Sequence, residues 1–491
     1  MEEAHVPQFC PGRGPTLLST FSQSLSFHAS PQSFLLAPDL TDPTHPRGTT
    51  PNFVRAKILN RDVAVISSYR HCQEILYATG EEESSSQPHR DNLVSDRIGG
   101  KINPGVFTVG PAYRELMVDF FPAPNLLLLD SPRHQPTRQR WDKHMALMAA
   151  HTPELIRDCV ISRVTAWTDG SAIDLYEEMK DLSRNVLCSI FLGLRPSDKT
   201  YKDIVFQQEN LLRGQFSLFP VSIRTPFWCS SRSKGIDARN KLQAMLKEEM
   251  ASPRPGCPFA HRSSDINNEE LAANALLFTS SIAVKALASL LTAFLLNLFL
   301  FPCQPSLAAQ VRKQSPGQFP RTLLRSILLE TERLSPPVIG VMRRVEQDII
   351  LKIDTSAARP QHQSQVIVPA GWDVWLYFVN ACRDSSVYDQ PCKFVPERFM
   401  SSLDPDPGFA FGAGGKECLG KDLARELAET VALVTLEKGL DLSGSIEAEG
   451  VRGWLGWDED VSADMIARDL KQLPTQRPRQ PIKIRIRRLW N

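Results

Sequence analysis

Residues 411–420 read Phe411-Gly412-Ala413-Gly414-Gly415-Lys416-Glu417-Cys418-Leu419-Gly420. Four glycines in ten residues let the backbone turn tightly and come close to a flat ligand. Cys418 closes this bend and stands just before a run, from about Leu419 to Lys438, that reads as a helix. The first turn of a helix carries free N–H groups and partial positive charge. Both lower a thiol's pKa and stabilise a thiolate. A thiolate so held can ligate iron, and thiolate ligation of a haem favours O–O cleavage. The bland alternative is a glycine-rich loop with an incidental cysteine.

Three further constellations lie upstream and between. Glu330 and Arg333 are three apart on a run, Arg321 to Leu334, that reads as a helix ending before Pro336-Pro337. At that spacing they share a face and can pair, although a solvated surface pair is the ordinary outcome. Pro396-Glu397-Arg398-Phe399 adds a second arginine on a loop. Asp130-Ser131-Pro132-Arg133-His134-Gln135-Pro136-Thr137-Arg138 opens another helical run, with His134 and Arg138 at i, i+4.

The spacing F-x-x-G-x-x-x-C-x-G in 411–420 resembles the haem-binding signature of the cytochrome P450 superfamily, of eukaryotic type, at every fixed position. Lys416 stands where that family usually has arginine, and supplies a point charge in place of a fork. The resemblance covers about residues 30 to 488 and implies a mainly α fold with a small β-rich lobe. It implies haem b (iron protoporphyrin IX) with Cys418 as the sulfur ligand, and Phe411, Gly414, Lys416 and Gly420 around it. Glu330, Arg333 and Arg398 would form the family's structural triad, a carboxylate bridging two guanidiniums. His134, Arg138 and Arg343 would hold the haem propionates, and Pro337 to Met342 would line the substrate pocket. The implied reaction is O₂-dependent hydroxylation of a lipophilic small molecule, in secondary-metabolite biosynthesis, with electrons from NADPH-cytochrome reductase.

The chain departs from the family in its central helix, read as one element from about Asn268 to Leu300. Family monooxygenases place an acid beside an alcohol there. A register anchored on Phe278 puts Ile282, Ala283 and Val284 at those positions, and a shift can bring in Thr279. No one-turn shift supplies a carboxylate, because Glu269 and Glu270 lie more than two turns back. Water, Ser281 or a substrate hydroxyl would then replace the relay, making Ser281 and Thr279 the catalytic candidates here. The alternatives are an O₂-independent isomerase or dehydratase, a peroxide-driven hydroxylase, or a non-catalytic haem sensor. Lys285, within this helix, faces a propionate or a substrate carboxylate, or else snorkels to the surface.

The bulk numbers are compatible with this. A chain of 491 residues with 42% apolar content can bury a large core. Lys plus Arg (56) balances Asp plus Glu (55), which speaks against nucleic-acid binding. Ten cysteines without a CxxC pair indicate neither a zinc site nor a disulfide scaffold. Cys72, Cys159, Cys188, Cys229, Cys303, Cys382 and Cys392 are expected to be small buried hydrophobes. No N-terminal apolar run reaches anchor length, and Ala275 to Phe301 is expected to be a core helix. The expectation is a monomer, cytoplasmic or peripheral to the endoplasmic reticulum membrane. Residues 1–50 read as an irregular lead-in, and residues 51–491 as one catalytic domain. Within that domain, Phe53 to Ile66 alternates as a hairpin and the terminal IKIRIRR alternates as a basic strand.

Overall fold

The computed structural model describes residues 24, 26–27, 30–35, 53–58, 61–79, 105–109, 114, 117–217, 221–260, 265–313, 321–353, 364–400, 407–447, 458–460, 470–473 and 475–490. Most of the lead-in lies outside the described residues, as do residues 80–104, 110–113 and 115–116. In chain order the elements are α1 (Pro31–Leu35), β1 (Phe53–Ile58), β2 (Arg61–Ile66), α2 (Tyr69–Ala78), β3 (Phe107–Thr108), α3 (His134–Ala149), α4 (Pro153–Thr165), β4 (Ala172–Asp174), α5 (Leu175–Leu192), α6 (Lys199–Gln215), α7 (Ser231–Ala251), α8 (Asn268–Phe278) and α9 (Ser281–Leu300). There follow α10 (Leu307–Lys313), α11 (Arg321–Leu334), β5 (Gly340–Val345), β6 (Ile349–Ile353), β7 (Ser364–Val368), β8 (Asp373–Tyr377), α12 (Phe378–Ala381), α13 (Lys421–Glu437), β9 (Leu440–Glu447), β10 (Asp458–Asp460), β11 (Leu470–Lys471), β12 (Arg477–Pro478) and β13 (Lys483–Arg488).

The β-rich lobe grows from the predicted hairpin. Antiparallel register pairs Phe53 with Ile66 and Ile58 with Arg61. The sheet continues in the order β1-β2-β8-β5-β3, with β2 and β8 parallel. Its side chains alternate, as strand geometry requires. Ala64, Ile66, Val374 and Leu376 join one apolar cluster with Ile75 and Leu76 of α2. Val63, Val65, Trp375 and Tyr377 join another with Phe34 and Leu35 of α1.

The larger, helical part has its own core. Leu182, Val186 and Ile190 of α5 share it with Leu291, Phe294 and Leu298 of α9. α9 has the length and hydropathy of a membrane span, but two thirds of its most apolar window is buried within the protein, as a core helix requires. The expected terminal strand forms as β13, with Ile484 and Ile486 buried and Arg485 exposed. It lies between β9 and β4. Its pairing with β4 holds Ala172–Asp174 as a short strand, and α5 starts where the Asp174 side chain accepts from Glu177 N.

Two other expectations are corrected. The central helix is not continuous: α8 ends at Phe278, and Ser280, at φ −61° and ψ 154°, restarts the chain by accepting Ala283 N. A serine hydroxyl that satisfies a first-turn amide makes such a break cheap. Among the cysteines, Cys72, Cys188 and Cys382 are buried as expected, Cys159, Cys229 and Cys303 are half-buried, and Cys392 is exposed.

Candidate haem-thiolate site

The cysteine loop is shaped by backbone hydrogen bonds and by one obligatory glycine. Cys418 N donates to Phe411 O at 2.8 Å, and Glu417 N donates to Gly414 O at 3.0 Å, closing a short 3₁₀ turn over Gly414–Lys416. Gly414 has φ +67°, and a Cβ there would lie 2.6 Å from Leu76 O and 2.9 Å from the Tyr77 Cα. The loop thus rests directly on the backbone of α2, which only glycine permits. Gly420 is the N-cap of α13, so Cys418 sits two residues before that helix.

The Cys418 side chain is exposed to a solvent-sized sphere, yet protein surrounds it so closely that burial is the largest influence on its thiol. Both hold if the sulfur faces an internal cleft. Burial pushes the thiol up, against the lowering expected from the helix terminus. The Gly420 amide, Arg138 and Lys421 do oppose it, but desolvation outweighs them.

Basic groups gather beside this thiol. Lys416 Nζ donates to the Leu129 carbonyl, and Arg138 Nη1 donates to the Glu417 carbonyl, tying the segment before α3, and α3 itself, to the cysteine loop. His134 is buried, and its Nδ1 has no hydrogen-bond partner among the described residues. Burial, with Lys416, Arg138 and Arg343 nearby, lowers His134 to about 3. Lys416 is lowered to about 7 by burial and by Arg343, Arg114 and Arg138, with Asp130 opposing. Asp130 is itself held by Val109 N and Arg114. Burial is the larger cause of both shifts, and the neighbouring cations add to it. An accessible sulfur, a glycine bend and this excess of donors fit a flat ligand bearing two carboxylates, as haem b does.

The triad assembles. Glu330 is fully buried; its Oε1 accepts from Arg333 Nη2 at 2.7 Å and from Val395 N at 2.8 Å, and its Oε2 accepts from Arg333 Nε at 2.8 Å. Arg398 Nε approaches Oε2 at 3.4 Å, close enough for an ion pair but not an aligned hydrogen bond. Arg333 also donates to the carbonyls of Cys382, Pro391 and Lys393. One residue thereby fastens α11 to the chain leading into the cysteine loop.

A second joint was not visible in the sequence. Glu332, fully buried, accepts from Arg425 Nε at 2.9 Å and Nη2 at 2.6 Å, linking α11 to α13. Burial pushes the Glu332 carboxyl up and Arg425 opposes it. Arg425 also lies 5.5 Å over the Phe411 ring. The two carboxylates of α11 thus brace both ends of the cysteine loop.

At the α8–α9 break, the candidate alcohols separate. Thr279 Oγ1 donates to Ala275 O and accepts from Gln208 Nε2, both at 2.8 Å. Ser281 Oγ lies 3.4 Å from Glu209 Oε1 on α6. Glu209 also meets Arg184 at 3.2 Å and Lys285 Nζ at 3.8 Å. A carboxylate therefore stands beside a hydroxyl after all, brought by a different helix. Its 72-residue separation from Ser281 hides it from any local motif. Lys285 is 17% exposed and ion-paired, not a snorkelling surface group. Ile282, Ala283 and Ala286 are half-buried, whereas Val284, expected beside them, turns into the core.

Comparison with known proteins points to a single family. A family profile described as Cytochrome P450 matches residues 320–436, the stretch holding the triad, the cysteine loop and most of α13. "Cytochrome P450 85A1" of Brachypodium distachyon is 22% identical over 349 residues, covering 64% of this chain and 69% of its own. "Abscisic acid 8'-hydroxylase 3" of Oryza sativa subsp. indica is 24% identical over 302 residues, 55% of each chain. The solved structure "Retinoic acid bound cyanobacterial CYP120A1" superposes with TM-score 0.66 at 18% identity, over 99% of this chain and 100% of that one.

Proposed function

The chain belongs to the cytochrome P450 family, and we propose that it is a monooxygenase that hydroxylates a lipophilic small molecule using O₂ and electrons from a separate NADPH-cytochrome reductase. The observation that carries this is the accessible Cys418 sulfur at the glycine bend, flanked by the His134, Arg138, Lys416 and Arg343 cluster. Bound haem b would supply a thiolate-ligated iron able to activate O₂. Cys418 would hold the iron as a thiolate. His134, Arg138, Lys416 and Arg343 would hold the propionates, the cationic side chains by charge-assisted hydrogen bonds.

The rest of the mechanism belongs to the chain's own residues. Ile282, Ala283 and Ala286 supply an apolar wall that orients one C–H bond and keeps bulk water out. Ser281 holds a proton at Oγ, with Glu209 behind it, in place of the acid and alcohol that the family carries on one helix. Thr279, whose hydroxyl already donates and accepts, contributes by fixing the helix break. The likeness to abscisic acid 8'-hydroxylase 3 supports oxidation at carbon. The second reading, O₂-independent rearrangement of an oxygenated substrate, draws on the absence of a carboxylate on α9 itself.

The proposal extends to surroundings. Between α6 and α7, Val221, Ile223, Phe227 and Trp228 are exposed, Phe227 almost completely. An exposed aromatic and aliphatic cluster of this kind supports peripheral contact with a membrane surface by a monomer. The deciding assay is turnover. Product that depends on reductase, NADPH and O₂ supports oxygenation; product formed anaerobically from an organic hydroperoxide rules for the rearrangement. Metabolite comparison between a deletion strain and its parent supplies the substrate for both arms.

A further inference from the structure

We propose that the cavity walled by α9 and the β11–β12 turn receives a carboxylate carried by the substrate, with Arg477 as its counter-ion. This rests on the monooxygenase reading and narrows its substrate to a lipophilic acid. The cavity has a volume of ≈ 40 Å³ and is lined by Ser289, Thr292, Asn297, Ser335, Gln476 and Arg477, among others. That volume takes a carboxylate or a few waters and is too small for a carbon skeleton.

The charges around it do not close. Arg477 lies 5.9 Å over the Tyr176 ring, and its Nη1 is shut off from solvent without a hydrogen-bond partner among the described residues. No carboxylate among the described residues pairs with it. Lys285, one turn before Ser289, is near enough for the two cations to repel. Glu209, the acid that pairs with Lys285, sits nearer to Arg184, at 3.2 Å, than to Lys285, at 3.8 Å. Thr292, 1% exposed, likewise has no partner for its Oγ1 among the described residues. A buried donor or acceptor without a partner is a standing cost to the fold. A carboxylate would satisfy the guanidinium and the hydroxyl together, and the planar fork of arginine matches its geometry.

Position ties this cavity to the substrate. Gln476 N donates to Pro337 O at 2.8 Å, so the turn that carries Arg477 is pinned to the segment expected to line the pocket. An amphipathic acid could then place its head here and its skeleton along the half-buried Ile282, Ala283 and Ala286.

The test uses haem-loaded protein titrated with laurate, methyl laurate and 1-dodecanol, read by calorimetry and by the Soret band. Laurate should bind about tenfold more tightly than its ester or alcohol, as a charge-assisted hydrogen bond implies. Arg477→Gln should bring acid and ester to near equality, and Arg477→Lys should keep most of the preference. Absent laurate binding, equal binding of acid and ester by the wild type, or an undiminished preference in Arg477→Gln would each overturn the proposal. The ferrous–CO spectrum of the same sample separates the two failures. A thiolate-type band without acid preference sinks only this inference, and its absence sinks the functional reading.

Discussion

Replacing Glu330 by alanine should release the cysteine loop from the rest of the fold. The carboxylate is fully buried and receives three hydrogen bonds, from Arg333 Nε, Arg333 Nη2 and Val395 N, with Arg398 at 3.4 Å. Its loss strands the Val395 amide and leaves Arg333 a buried cation held by three carbonyls. Breaking a buried ion pair from one side typically costs about 3–5 kcal/mol. The three surviving carbonyl bonds to Arg333 place this case near the lower end, about 3 kcal/mol. Glu429→Ala is the control: its partner Arg325 is 36% exposed, and such pairs contribute at most about 1 kcal/mol. The assay is the urea midpoint of unfolding, followed by haem content after gel filtration. Glu330→Ala should unfold at clearly lower urea and lose haem, while Glu429→Ala should match the wild type. If the two variants unfold within about 1 kcal/mol of each other and retain haem equally, the joint is not structural.

Gly414→Ala forces a Cβ to 2.6 Å from Leu76 O at φ +67°, so it should purify with little haem; full haem content would refute the close approach of loop and α2. Ser281→Ala should leave substrate binding unchanged but raise the peroxide released per NADPH consumed; unchanged coupling would exclude Ser281 from proton delivery. The double substitution Phe227→Ser, Trp228→Ser should weaken sedimentation with phosphatidylcholine vesicles severalfold without altering the CO spectrum, and equal sedimentation would remove this loop from any membrane contact.

The parts of the site that are contiguous in the chain were legible. The bend at Gly414 and the cysteine after it sit within five residues of each other, and Glu330 and Arg333 share one helical face, so spacing alone exposes the chemistry. Two strands were equally plain, because Phe53–Ile58 and Lys483–Arg488 alternate with the period of a pleat. The central helix misled because its apolar run masked an N-cap signal. Thr279-Ser280-Ser281 held the serine that ends one helix and starts the next. What could not be read was any pairing made by tertiary contact. Glu332 and Arg425 are 93 residues apart and Glu209 and Ser281 are 72 apart, and nothing local in either segment marks the partner. The thiol's direction of shift also escaped, since desolvation depends on how the whole fold closes around Cys418, not on the helix that follows it.

The sharpest measurement is the spectrum of reduced, haem-supplied protein under carbon monoxide, taken for wild type and for Cys418→Ala. The wild type should give the red-shifted Soret band of sulfur ligation, and the variant should lose it while still binding some porphyrin through the basic cluster. A wild-type band at the position of a nitrogen-ligated haem, or an unchanged band in Cys418→Ala, would contradict the assignment of iron to this cysteine.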